Sequence, residues 1–172
     1  MHALLILDLQ VGLFHGPEKP WRGEAMLEAV NGLLDKARAA GAPVFLARHV
    51  GPEGSPLAAD GPLTRLIPEL RLDGSEVVFE KRRPNAFAGT GLLEMLESAG
   101  AKGVVIAGMK TQFCVDSTCR VARDLGLDAV LIGDGHTCSD TPLLNAEAIV
   151  AHHNAVLAGA FCRVVEAREW AF

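Results

Sequence analysis

Three residues far apart in the chain, Asp8, Lys81 and Cys114, are of types that do covalent chemistry, and each stands just after a short apolar run. Asp8 directly follows the run at 3–7, Lys81 comes two residues after 77–79, and Cys114 lies a few residues beyond 104–107, at the start of a helical pattern. An ordinary thiol, with a pKa of about 8.5, is only a few per cent thiolate at neutral pH. Helix N-terminal N–H groups and a nearby ammonium both favour the thiolate and lower the pKa of such a cysteine. A neighbouring carboxylate can accept the thiol proton and later return it to a leaving amine. The lysine would keep that carboxylate ionised, and no histidine is then needed as the base. Taken singly, each residue also has a plain structural role: a loop cap, an edge charge and a small buried hydrophobe.

Those residues must be brought together by the elements around them. Apolar runs at 3–7, 44–47, 77–79, 104–107, 129–132 and 164–165 are mostly apolar at successive positions, the pattern of strands buried on both faces and paired in parallel. Between them lie helical patterns. Residues 24–40 carry Met26, Val30, Leu33 and Ala37 with Gly41 placed to cap the end, and 92–99 and 113–125 repeat the scheme with Gly100 and Gly126. Thr111 is placed to cap the helix that holds Cys114 in its first turn. In the pattern at 142–158, Thr141 is the expected N-cap, with Pro142 in the first turn and Gly159 beyond the end. Such alternation predicts a three-layer, Rossmann-like α/β/α fold with a mostly parallel six-stranded sheet, in one domain over 1–172. Ligands in such folds bind beyond the carboxyl ends of the strands, where Asp8, Lys81 and Cys114 are expected. The Gly- and Pro-rich segment 51–62 reads as a surface loop, either a lid or an oligomer contact.

Composition narrows the function classes. With 49% hydrophobic and 22% charged residues, the chain can fill a core and is not a disordered tail. Its net charge of −5, with no basic cluster beyond Lys81-Arg82-Arg83, argues against nucleic acid as a partner. Cys114, Cys119, Cys138 and Cys162 form no C-x-x-C pair, which argues against a zinc ribbon, and they read as free thiols in a reducing cytoplasm. No apolar stretch reaches the roughly 20 residues of a membrane span, and the apolar start, broken at Asp8, does not read as a signal peptide.

Asp8-Leu9-Gln10, Lys81 with Asn85-Ala86-Phe87-Ala88-Gly89-Thr90, and Gly108-Met109-Lys110-Thr111-Gln112-Phe113-Cys114-Val115 resemble the three motifs of the isochorismatase-like cysteine hydrolases. The resemblance runs in order from Ala3 to about Val165, and its third motif is the most specific. It implies the isochorismatase-like hydrolase fold, with Asp8 as general base and later acid, Lys81 as electrostatic partner and Cys114 as nucleophile. It further implies a cis peptide at Met109–Lys110 and an oxyanion hole made by the backbone N–H groups of Lys110 and Cys114. Gln10, Phe14 and Phe87 resemble the family's pocket-lining positions, with plain core as the other reading of the two phenylalanines, and His49 either lines the pocket or ends its strand. The implied reaction is thiolate attack on a small-molecule amide, ureide or lactam, loss of the amine and hydrolysis of a thioester, in a homo-oligomer without cofactor.

Other signals are weaker. Metal-dependent relatives carry an Asp-x-His pair and a further histidine, whereas the matching segment here reads Ala47-Arg48-His49, so no metal is expected. His152 and His153 are adjacent and face about 100° apart on a helix, so they read as packing rather than a chelate. Asp134 reads as an anchor, Cys119 and Cys162 as core, His136 is open near the pocket, and Trp21 is open between a pocket wall and an oligomer contact. Two other functions compete: a quiet scaffold of the same fold, and a thiol redox sensor.

Overall fold

The computed structural model describes residues 1–172. Six strands, β1 (His2–Leu7), β2 (Val44–His49), β3 (Val77–Lys81), β4 (Gly103–Met109), β5 (Asp128–Thr137) and β6 (Arg163–Val165), form one sheet in the order β3-β2-β1-β4-β5-β6. Every neighbouring pair is parallel, so the sheet is wholly rather than mostly so. The helices are α1 (Val11–Phe14), α2 (Gly23–Ala40), α3 (Leu92–Ser98), α4 (Asp116–Asp124) and α5 (Ala146–Leu157). None is long and apolar enough to cross a membrane.

Alternation along β1 creates the layers. Ala3, Leu5 and Leu7 point to one face, where they meet Leu92 and Leu96 of α3, Cys119 and Ala122 of α4, and Cys162. Leu4 and Ile6 point to the other and meet the α2 stripe of Met26, Val30, Leu33, Leu34 and Ala37. Each such large side chain, fully buried, contributes about 1.5–3 kcal/mol, so the central strands are held from both sides. Strand β3 departs from the expected double burial: Val77 and Val78 are 44% and 48% exposed because β3 is an edge of the sheet.

Two helix starts also differ from expectation. α5 begins at Ala146 rather than near Pro142, because Asn145 caps it by accepting from the Ala148 N–H, while Thr141 closes its own turn onto Leu144. Ahead of α4, residues Thr111–Val115 form one π-helical turn with no side-chain cap. The Thr111 hydroxyl instead bonds His136 Nδ1 at 2.9 Å. The expected glycine stops do hold at α2, where Gly41 takes up the left-handed conformation at φ 65°.

The chain reverses its direction of travel across the sheet between β1 and β4, and that switch point opens a crevice at the carboxyl ends of the strands. Leu7 pairs there with Gly108. Gly108 has φ 114°, and a Cβ on it would stand 2.2 Å from the Leu7 carbonyl oxygen. Gly108→Ala is expected to lower stability on the order of 3 kcal/mol, read as a drop in the urea midpoint; an unchanged midpoint would show that the close approach of β1 and β4 is not required.

Candidate active site

Each of the three reactive residues is delivered by its own strand. Asp8 is the first residue beyond β1, Lys81 the last of β3, and Cys114 sits in the π-helical turn that follows β4. Lys81 Nζ lies 2.7 Å from Asp8 Oδ2 and 3.2 Å from Cys114 Sγ, and the Lys81 and Asp8 side chains are both 0% exposed. The ammonium also reaches His49 Nδ1 at 3.3 Å and donates to the Arg83 carbonyl at 3.2 Å. The Lys81–Asp8 approach is an ion pair that is short but off hydrogen-bond geometry, so both carboxylate oxygens lack a hydrogen-bond partner. A proton acceptor is therefore at hand beside the thiol.

Burial decides the ionisation of the site. Desolvation raises the Asp8 pKa above its usual 3.8, against the lowering pull of the Lys81 charge. The Cys114 thiol is pushed up to about 12, by burial first and the Asp8 charge second, with Lys81 opposing. This corrects the expectation of a thiolate stabilised by lysine and helix. A buried thiol facing a carboxylate keeps its proton until a base removes it. His49 is held below the usual histidine range by burial and by Lys81, with Asp8 opposing.

Asp8, His49 and Cys114 offer ligand atoms within 4.8 Å of one another, a grouping that suits a metal by donor type. Lys81 Nζ, however, stands within 3.3 Å of one atom of each. A dication at that point would face a buried ammonium, so these residues do not fit one. The cation they share is the lysine's own.

The other predicted positions divide. His49 is half-buried at the centre, and half-buried Phe87 packs against the cluster that contains Cys114. Gln10 is fully buried and its amide is spent on the backbone: it donates to the His49 and Thr64 carbonyls at 3.0 and 2.9 Å and accepts from the His49 N–H at 2.7 Å. It shapes the site rather than lining it, a correction whose cause is that demand of the β2 end. Phe14, expected to line the pocket, is 8% exposed and packs into the core on the α2 face. Trp21 and His136 line a separate cavity of about 340 Å³ with Asp134, Glu147, Asn154 and Glu166. Buried His136 links Thr111 to Asn154 through its two nitrogens, and Asp134 accepts from the Ala167 N–H, the anchor role expected of it. Neither this cavity nor the cleft beside Phe14 is lined by Cys114, which keeps 9% exposure.

The Met109–Lys110 peptide is cis, and Lys110 leads into the turn that holds Cys114. Sequence reasoning missed three supports: the Arg83 carbonyl beneath Lys81, the Ala86 N–H to Thr118 Oγ1 bond that ties the Phe87 loop to α4, and the Lys110–Glu18 ion pair. None carries a local pattern; a backbone carbonyl leaves no mark in the sequence.

A family model described as Isochorismatase domain matches residues 2–168. The chain is 33% identical over 97% of its length to the secreted isochorismatase effector Isc1 of Verticillium dahliae, covering 88% of that protein. It is 34% identical over 83% of its length to a streptothricin hydrolase of Streptomyces noursei, of which it spans only 51%. Its fold overlays that of an isochorismatase from Pseudomonas putida KT2440 with a TM-score of 0.89 at 31% identity, covering 97% of this chain and 88% of the other.

Two outcomes follow from the charge arrangement. Lys81→Met leaves Asp8 as an uncompensated buried charge and should cost about 3–5 kcal/mol at neutral pH, largely restored in Asp8→Asn/Lys81→Met. The sign is that of a raised carboxyl pKa: the stability of Lys81→Met is full below the ordinary value of 3.8 and lost as pH climbs through the raised one. Denaturation across a pH series reads both effects, and a single variant as stable as the double would overturn them. Asp8→Asn should also speed alkylation of Cys114 by iodoacetamide at fixed pH, since the Asp8 charge raises the thiol pKa; slower alkylation would contradict that assignment.

Proposed function

The chain belongs to the isochorismatase family, and from that premise we propose that it is a cysteine hydrolase cleaving a C–N bond of a small amide, ureide or lactam. The observation that carries the reading is the position of Lys81 Nζ, 2.7 Å from the Asp8 carboxylate and 3.2 Å from the Cys114 sulfur. Asp8 takes the thiol proton as Cys114 Sγ bonds to the carbonyl carbon. A raised carboxyl pKa suits this role, because a base works best with its pKa near the working pH. Charge that gathers on the carbonyl oxygen is received by the backbone N–H groups of Lys110 and Cys114. The C–N bond then breaks, and the proton on Asp8 goes to the leaving nitrogen. Water attacks the thioester, Asp8 again takes a proton, and the free acid leaves as the thiol is restored. His49 and Phe87 line the substrate side.

Two features favour this reading over a redox sensor. A sensor thiol is low in pKa and open to solvent, whereas Cys114 is pushed up to about 12 and is 9% exposed. The relative named as a streptothricin hydrolase agrees with a hydrolytic role. The same reading carries a cytoplasmic setting, in line with four free thiols, and assembly of like chains, for which exposed Phe113 beside Cys114 offers apolar surface.

A panel of small amides, ureides and lactams should include a substrate that leaves an acyl group on Cys114 by mass spectrometry. Cys114→Ala should cut its turnover by about 10⁴-fold or more while circular dichroism stays native. Turnover unchanged in Cys114→Ala would end the proposal.

A further inference from the structure

His49 closes β2 directly opposite Lys81 in the register of the sheet, and its Nδ1 faces Lys81 Nζ at 3.3 Å. An ammonium has three N–H donors and no acceptor. The ring nitrogen that meets it must therefore accept, which fixes the neutral tautomer with the proton on Nε2. The three ammonium protons face Cys114 Sγ, His49 Nδ1 and the Arg83 carbonyl, while Asp8 Oδ2 stands beside them as the ion-pair partner. The backbone that carries the imidazole is itself held in place, because Gln10 clamps both the N–H and the carbonyl of His49. Nδ1 is thus committed, whereas Nε2 makes no hydrogen bond to the chain although the ring is only half-buried. A ring nitrogen of His49 lies within 4.8 Å of both the Asp8 carboxylate and the Cys114 sulfur, so the imidazole that carries the free donor borders the reacting groups.

We propose that His49 divides its two nitrogens: Nδ1 is a positioning anchor for the Lys81 ammonium, and Nε2–H is a neutral donor for an oxygen of the substrate next to the scissile bond. This rests on the hydrolase reading for its second half and narrows the substrate class. Acyl compounds with a second carbonyl or carboxylate oxygen near the scissile carbonyl gain a contact that simple alkyl amides lack. The donor is uncharged, so it serves a neutral oxygen as well as an anionic one.

Conservative variants separate the two nitrogens. The amide of His49→Asn falls near the place of Nδ1 and that of His49→Gln near Nε2, while His49→Ala has neither. Iodoacetamide alkylation of Cys114 reads the anchor without any substrate. It should stay near the wild-type rate in His49→Asn and slow several-fold in His49→Gln and His49→Ala, because a loosened ammonium lowers the thiol pKa less. With a substrate from the panel, KM should rise about tenfold, the loss of one hydrogen bond, in His49→Asn and His49→Ala. His49→Gln should hold KM and lose kcat. Equal alkylation rates in all three variants would overturn the anchor, and a KM indifferent to Asn against Gln would overturn the donor. A wild-type protein inactive on the whole panel would refute the hydrolase reading and the donor with it, leaving the anchor to be judged by alkylation alone.

Discussion

A single ammonium, sealed from water and shared among a carboxylate, a thiol and an imidazole, is the constraint on which this structure turns. An ion pair with both side chains at 0% exposure is a poor device for stability, since removing two charges from water costs about as much as their attraction returns. The direction of the Asp8 pKa agrees: burial outweighs the lysine and leaves the carboxyl above its usual value. What the pair provides is chemical. On the proposed mechanism it keeps a base of raised pKa beside a thiol whose own pKa burial has raised, so the proton acceptor is in place before a substrate arrives.

Holding that arrangement occupies much of the surrounding chain. Lys81 and Asp8 are brought to one rim by strands two places apart in the sheet, with β2 between them supplying His49. Gln10 turns its amide inward to fasten the end of β2 and the 3₁₀ turn at Pro62–Thr64. On the other side, His136 spans Thr111 and Asn154 and so fixes the turn that carries Cys114 to helix α5. A neutral, doubly bonded His136 with its pKa pushed down to about 4 by burial is a strut, not a titrating group.

This division explains what the sequence made legible. The three reactive residues were readable because each follows an apolar run, and parallel strands in a doubly wound sheet end on the same edge; position along the chain translates directly into position on the rim. The glycine stop at Gly41 was readable for a similar reason, being a local conformational need. The ionisation of Cys114 was not, because it is a balance among burial, Asp8 and Lys81 that exists only once the strands have met. Gln10 and Phe14 were misplaced because proximity in sequence to a reactive residue says nothing about which way a side chain turns. At α5, Asn145 and Thr141 are both good cap residues, and only the backbone decides between them.

Asp8 gathers several costs in one residue. It is a buried charge, it has no hydrogen bond to either oxygen, and its φ of 55° places a non-glycine residue in the left-handed region. An asparagine would tolerate the same backbone angle, and an apolar residue would remove the desolvation term altogether, so neither packing nor turn geometry calls for an aspartate here. Lys81 does not call for it either, since the two could be replaced together by neutral side chains at little expense to the fold. A carboxylate that is costly on every structural count, and that is left with open lone pairs beside a sulfur, fits the proton-transfer role that the proposed mechanism gives it.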